Sequence, residues 1–226
     1  MDDHPPGTRL DIVSDVICPW CWIGKRNLDS ALEILAAEGL RFTLRWHAFQ
    51  LNPDMPAAGV VRADYRAQKF GSLEKSRQMD ARVAEAGRSA GLEFRHDRML
   101  RTPNTIAAHR LMRLAEPAGL QHTLAEALFQ AYFHDGRDIG DTSVLAEIGA
   151  AAGLPAPTIA DFSAGHAARH EVMEEDEAYR RGGISGVPSF VLDRHLLWSG
   201  AMPPEQMATA LRQAHAYLTQ RATAAE

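Results

Sequence analysis

The chain has two cysteines, and both lie in Cys18-Pro19-Trp20-Cys21, between a strand-like run from Leu10 to Val16 and a strongly helical run that follows directly. A strand that enters C-x-x-C and leaves as a helix sets Cys18 at or near a helix N-terminus. Unpaired backbone N–H groups and the positive end of the helix dipole favour a thiolate there. Pro19 suits the first helical turn, because its φ is already helical and its missing N–H would have had no partner. Trp20 adds an apolar cap with one N–H donor. The arrangement predicts reversible dithiol–disulfide exchange, with Cys18 the exposed attacking sulfur and Cys21 the resolving one.

Two plainer readings compete. C-x-x-C is half of a zinc site, yet no third cysteine exists, and His166 and His170, four apart on an expected helix, lie far outside zinc-finger spacing. That pair reads more simply as a solvated helix face, and no metal is expected. A structural disulfide across C-x-x-C would close too short a loop to remove much unfolded-chain entropy. The strand–C-x-x-C–helix context therefore favours redox catalysis.

At 226 residues the chain has room for one large domain, or for a domain with a sizeable insertion. Its 46% hydrophobic and 23% charged residues are ordinary for a globular protein. A formal net charge of −5, with no Lys/Arg cluster in the sequence, argues against nucleic acid. No apolar run is long enough to span a bilayer, so no membrane partner is expected. The start, Met1-Asp2-Asp3-His4-Pro5-Pro6-Gly7, is acidic and turn-rich without a basic n-region, which predicts a cytoplasmic protein. A C-x-x-C in that compartment rests largely reduced and serves catalysis or redox sensing.

Leu10 to Val16 reads as a buried strand. Leu28, Ala31, Leu32 and Leu35 then recur at helical spacing, with Gly39 as the stop. Phe42, Leu44 and Trp46 alternate with Thr43, Arg45 and His47, the period of a half-buried strand, and strand–helix–strand implies a parallel pair. Asn52-Pro53-Asp54-Met55-Pro56 marks a boundary. Beyond it nearly everything reads helical: Arg62 to Phe70, Leu73 to Ala90 with Ser72 as N-cap, Asn104 to Ala118, a stripe of Leu124, Leu128 and Ala131, a helix capped by Asp141, and about Ala167 to Arg181. Pro188 opens a strand, Ser189 to Leu192, with Asp193-Arg194 as a hairpin turn and His195 to Trp198 as the antiparallel return. A final amphipathic helix follows Pro203-Pro204, and Thr219 to Glu226 is expected to fray. The expected organisation is an α/β half built from 1–51 and 183–226, interrupted by an all-helical subdomain, 52–182.

Stretches spread along nearly the whole chain carry a resemblance: Ser14 to Lys25, Phe49-Gln50-Leu51-Asn52-Pro53, Asn104-Thr105, Ala108 to Leu111, Asp138 to Asp141, and Gly186-Val187-Pro188-Ser189-Phe190. They resemble the FrnE-like branch of the DsbA family, thiol–disulfide oxidoreductases with a thioredoxin fold and a helical insertion. The resemblance implies a cis Val187-Pro188 bond beside Cys18, with backbone groups next to Pro188 free to pair with an extended substrate. Taken alone, Gly186-Val187-Pro188 is an ordinary turn before an edge strand. Pro19, Trp20, Val187 and Pro188 would then contact substrate. Asn52, Asn104 and His109 could reach the cleft from the insertion. Asp15 would either relay a proton or make strand-end backbone hydrogen bonds. Trp22 is expected in the core, and Lys25 and Arg26 in solvent. Met202, where the branch often has Gln, would alter the groove beside the hairpin. The implied partners are protein or small-molecule thiols and disulfides. No cofactor is expected beyond the cysteine pair, glutathione is an admissible co-substrate, and homodimers are common among relatives. Kappa-type glutathione transferases and 2-hydroxychromene-2-carboxylate isomerases share the architecture and form the alternative, against which two active-site cysteines argue. A redox-inert binding module is a third reading.

Overall fold

The structure, a computed structural model, describes Pro5 and residues 7–224. The acidic start expected at Met1 to His4 and Pro6, and the fraying expected at Ala225 and Glu226, lie outside the described residues. Strand β1 (Arg9–Ser14) has five of its six residues buried, as expected for a strand covered on both faces. It leads through a tight turn into helix α1 (Pro19–Ala37), which crosses back to strand β2 (Thr43–Ala48). β1 and β2 pair in parallel, Leu10 beside Leu44 and Ile12 beside Trp46.

Two late strands complete the sheet. β5 (Ser189–Leu192) runs antiparallel to β1, and β6 (His195–Ser199) returns along β5, giving the order β2-β1-β5-β6. The hairpin turn falls on Asp193 and Arg194, both at positive φ (44° and 71°), which matches the right-handed twist of the strands it joins. Asp193 is tied down as well, its carboxylate accepting from the N–H of Arg9 at 3.3 Å. Helix α9 (Pro204–Thr223) packs along α1 and runs four residues past the point where fraying was expected.

Between β2 and β5 lie seven α-helices, among the described residues: α2 (Arg62–Phe70), α3 (Leu73–Ser89), α4 (Ile106–Leu114), α5 (Gln121–Phe129), α6 (Thr142–Ala151), α7 (Ala156–Ser163) and α8 (Arg169–Arg181). The Ser72 hydroxyl accepts from Lys75 N–H and the Asp141 carboxylate from Ser143 N–H, so both expected caps form. The segment is not all-helical: Val60–Val61 (β3) and Arg101–Thr102 (β4) form a short antiparallel ladder. α4 is shorter than Asn104 to Ala118: it begins at Ile106, whose N–H donates to the Asn104 side chain, and it ends at Leu114, ahead of the turn at Gly119. His166 falls in the loop ahead of α8 while His170 lies on it, and both are exposed. Seven helices thus separate the sheet's two sequence pieces, and none among the described residues is long and apolar enough to cross a membrane.

α5 continues into a π-helical turn, Gln130–His134, in which Ala131, Tyr132 and Phe133 are all buried. A regular α-helix turns three successive residues through most of a revolution, so such a run fits only where the helix is packed on several sides. The same holds at the start of α1, where Cys21 to Lys25 are all buried, between the sheet on one side and the inserted helices on the other. Trp22 sits at that junction, stacked on Phe133 and Phe129 and edge-on to Phe94. One hydrophobic cluster therefore runs from Leu10, Ile12 and Phe190 through Trp22 into Leu111, Leu128 and Phe162.

Candidate active site

Cys18 is the N-cap of α1, with extended backbone, and Pro19 fills the first helical position. The turn is closed by Cys18 N–H donating to Asp15 O and Cys21 N–H donating to Cys18 O, each at 3.0 Å. Facing it is the Val187–Pro188 peptide, which is cis. The Cys18 thiol donates to Val187 O at 3.5 Å. The carbonyl of Pro188 accepts from Gly200 N–H at 2.7 Å, which ties the loop to the end of β6. Gly24 explains how the helix comes so near the loop. A Cβ there would lie 2.9 Å from Pro188 Cγ, closer than side chains pack.

Both cysteines are thiols and both are buried, Cys18 at 4% and Cys21 at 1%. The expectation of an exposed Cys18 is therefore corrected. Its sulfur opens onto a pocket of about 310 Å³, whose walls it shares with Pro19, Trp20, Asn52 and Val187. Trp20 is half-exposed at the rim. Cys21 lies behind this surface. Burial, and after it the adjacent Cys18 sulfur, push its thiol well above the ordinary range. The Ser14 hydroxyl and the Asp15 backbone act in the opposite direction and do not offset this.

Asp15 is fully buried below the turn. One carboxylate oxygen accepts from Leu51 N–H at 2.7 Å, and the other lies 3.3 Å from His109 Nε2, near enough for an ion pair but out of hydrogen-bonding alignment. The Phe49-Gln50-Leu51-Asn52 stretch gains its course from that bond and from α8. Asp176 accepts from Gln50 N–H at 3.0 Å and from its side-chain amide at 3.2 Å, and the Arg180 guanidinium lies 4.1 Å over the Phe49 ring. Fixed this way, Asn52 reaches the pocket wall, where its side-chain oxygen accepts from Tyr65 OH. Asn104 does not reach the cleft. Its amide is used up holding Met55 O at 2.7 Å and capping α4.

Trp22 is core, as expected, with its indole N–H donating to Glu126 at 3.2 Å. Arg26 is half-buried and pairs with Glu126 at 2.9 Å, so it is only partly in solvent. Lys25 is not solvated. It is 5% exposed, between Asp29 at 2.7 Å and Glu126 at 3.2 Å, because the inserted helices cover the α1 face on which it lies. The carbonyl of Met202 accepts from the Asn27 side chain at 2.7 Å, tying α1 to the segment after the hairpin.

The opposite wall of the pocket comes from residues the sequence reading passed over: Arg62, Tyr65, Arg66 and Lys69 of α2, Asp80 of α3, and His96. The signal was present. Positions 62, 66 and 69 are spaced i, i+4, i+7, so a helix gathers three scattered cations onto one face. α2 has no fully buried residue, but Arg62, Tyr65 and Arg66 are partly buried where the helix lines the pocket that Cys18 also lines.

The DSBA-like thioredoxin domain model matches residues 9–212. The chain belongs to that family. A probable DsbA oxidoreductase of Streptomyces coelicolor is similar at 31% identity and a TM-score of 0.81, with 91% of this chain and 89% of that one covered. The cytosolic disulfide reductase DsbM of Pseudomonas aeruginosa, in a structure with GSH, has the same fold at 23% identity and a TM-score of 0.63, covering 95% and 99%. A 2-hydroxychromene-2-carboxylate isomerase does too, at 16% identity and a TM-score of 0.61, covering 97% and 100%. As a family member, the chain carries the family's thioredoxin fold with its inserted helices.

Proposed function

We propose that the protein is a FrnE-like thiol–disulfide oxidoreductase in which Cys18 attacks and Cys21 resolves. The observation that carries this reading is the juxtaposition at the start of α1: Cys18 as N-cap, opening onto a pocket, 3.5 Å from the Val187 carbonyl, with Cys21 one turn behind it. The Cys18 thiolate attacks one sulfur of a bound disulfide, so that a mixed disulfide forms and the other half leaves as a thiolate. Cys21, once deprotonated, displaces the first half and closes the Cys18–Cys21 bond. Two electrons pass to the substrate, and its two thiolates take up the two protons. Two molecules of a small thiol such as glutathione return the pair to the dithiol and leave as their own disulfide. Pro19, Trp20, Val187 and Pro188 shape the ground on which the substrate lies, and Asp15 and His109 position the turn from below. A cytoplasmic setting, where such a pair rests reduced, makes reduction of substrates the working direction.

The test is the equilibrium reduction potential of the pair, titrated against glutathione, with Cys18→Ser and Cys21→Ser as controls. A reversible two-electron couple between roughly −270 and −120 mV is expected, lost in both variants. Thiols that stay reduced throughout would overturn the reading and turn attention to glutathione-dependent isomerase or transferase chemistry.

A further inference from the structure

The net charge of the chain is −5, yet the pocket over Cys18 runs the other way. Arg62, Arg66 and Lys69 line it, and Asp80 is the one carboxylate among the described lining residues. Asp80 is shared, 2.9 Å from Arg62 and 2.6 Å from Arg66, and His96 stands 3.8 Å from it. Two guanidinium groups therefore divide one countercharge. Lys69 donates to Tyr65 OH at 2.7 Å and has no carboxylate partner among the described residues. Arg62 and Arg66 are partly buried, at 12% and 17% side-chain exposure, so their charges act in a partly desolvated space rather than in bulk water. His96 is held below its usual value chiefly by burial; Asp80 acts against this, and Arg62 and Arg66 act with it.

Arg66 is also held in place. Its Nε donates to Ser76 Oγ at 2.7 Å, and its guanidinium lies 4.6 Å over the Phe70 ring. A cationic wall that is fixed and under-neutralised, across one small pocket from a sulfur, is a recognition element for negative charge.

Resting on the oxidoreductase reading above, we infer that the α2 wall selects small disulfides bearing carboxylates, with Arg62, Arg66 and Lys69 holding the acid groups while Cys18 meets the S–S bond. The size of the pocket fixes the source of the charge. At about 310 Å³ it falls at the lower end of small-molecule sites, and Cys18 is 4% exposed at its base. A disulfide held in a folded protein surface would have to enter a pocket that Cys18 shares with the side chains of α2.

The experiment uses the reduced full-length protein and three disulfides that differ in charge: 3,3′-dithiodipropionate (dianionic), bis(2-hydroxyethyl) disulfide (neutral) and cystamine (dicationic). Second-order rates of Cys18–Cys21 oxidation are measured by acid quench and thiol labelling, each divided by the rate for a short peptide dithiol to remove intrinsic reactivity. The corrected rate should rank anion over neutral over cation, with at least about a tenfold span that narrows as salt is raised. Lys69→Glu, at an exposed position, and Arg66→Glu should each compress or invert the ranking. Because the ratio is read within each variant, a general loss of rate cancels. Corrected rates equal within twofold, or a ranking that both variants leave intact, overturn the inference while the oxidoreductase reading stands. Faster reduction of insulin than of the dianion overturns the small-molecule occupant. If no disulfide oxidises the pair, the oxidoreductase reading falls and this inference falls with it.

Discussion

At the scale of single residues, depth separates the two cysteines. Cys18 borders the pocket, whereas Cys21 is 1% exposed and its thiol is raised chiefly by burial. Brief treatment with iodoacetamide at neutral pH should therefore alkylate Cys18 and leave Cys21 untouched in the native protein. Peptide mass mapping checks this, and preferential labelling of Cys21 would contradict the assigned order of attack. Gly24 is the second residue with a specific duty. A glycine inside a helix costs about 1 kcal/mol relative to alanine, and here it admits the Pro188 ring, which approaches within 2.9 Å of where a Cβ would stand. Gly24→Ala should recover that helix propensity yet lose about 1–3 kcal/mol to overpacking against a ring that cannot rotate away. The expected result is a Tm lowered by a few degrees, at about 2–4 °C per kcal/mol for this size, with slower disulfide exchange; a stabilised variant with full activity would show that the contact is relaxed.

At the scale of elements, the sheet order, the hairpin turn and most helices were legible because periodicity and end signals agree there. Ser72 and Asp141 cap as their residue types dictate, and Asp193-Arg194 turns where a two-residue loop must. The misses have physical reasons. α7 follows Pro155 and carries only Phe162 as a buried residue, too little for a stripe, and the two-residue strands β3 and β4 are too short to show alternation. In β2 the period of two holds only to Arg45, after which Trp46, His47 and Ala48 are all buried because α8 covers the outer face. His47 bridges the elements there, with Nε2 2.8 Å from Asp11 on β1 and Nδ1 2.6 Å from Glu175 on α8, and its ring 5.0 Å from Tyr179. Burial alone would lower its pKa, but the two carboxylates outweigh burial and raise it, while His47 in turn holds Asp11 and Glu175 below their usual values. The histidine thus lends stability that is complete below about pH 6.5 and is lost as pH rises through its raised value. The carboxylates lend stability that is complete above about pH 4.5 and is lost as pH falls through their lowered values. Urea midpoints followed from pH 4 to 9 should peak within that window. His47→Gln should flatten the alkaline limb, and identical slopes for the two proteins would dismiss the bridge as a source of pH dependence.

At the scale of the whole molecule, an α/β sheet interrupted by seven helices invites a two-step melt, sheet and insertion separately. The packing argues for one. Trp22, on the helix that carries the active-site turn, is 1% exposed with its ring against Phe94, Phe129 and Phe133 of the inserted segment. Gln121 adds a polar tie at the sheet edge, accepting from Trp46 N–H at 2.9 Å and donating to Trp46 O at 3.1 Å, so that a side chain from α5 completes hydrogen bonds the edge strand would otherwise leave to solvent. Neither half can open without exposing the other's core. Denaturation followed by far-UV ellipticity, which is dominated by the helices, and by pulsed alkylation of Cys21, which reports the active-site turn, should give one shared midpoint. Trp22→Ala should cost about 3–5 kcal/mol and move both midpoints down together. If Cys21 becomes labelled at a denaturant concentration where the helical signal is intact, the active-site half opens on its own and the shared core does not couple the two.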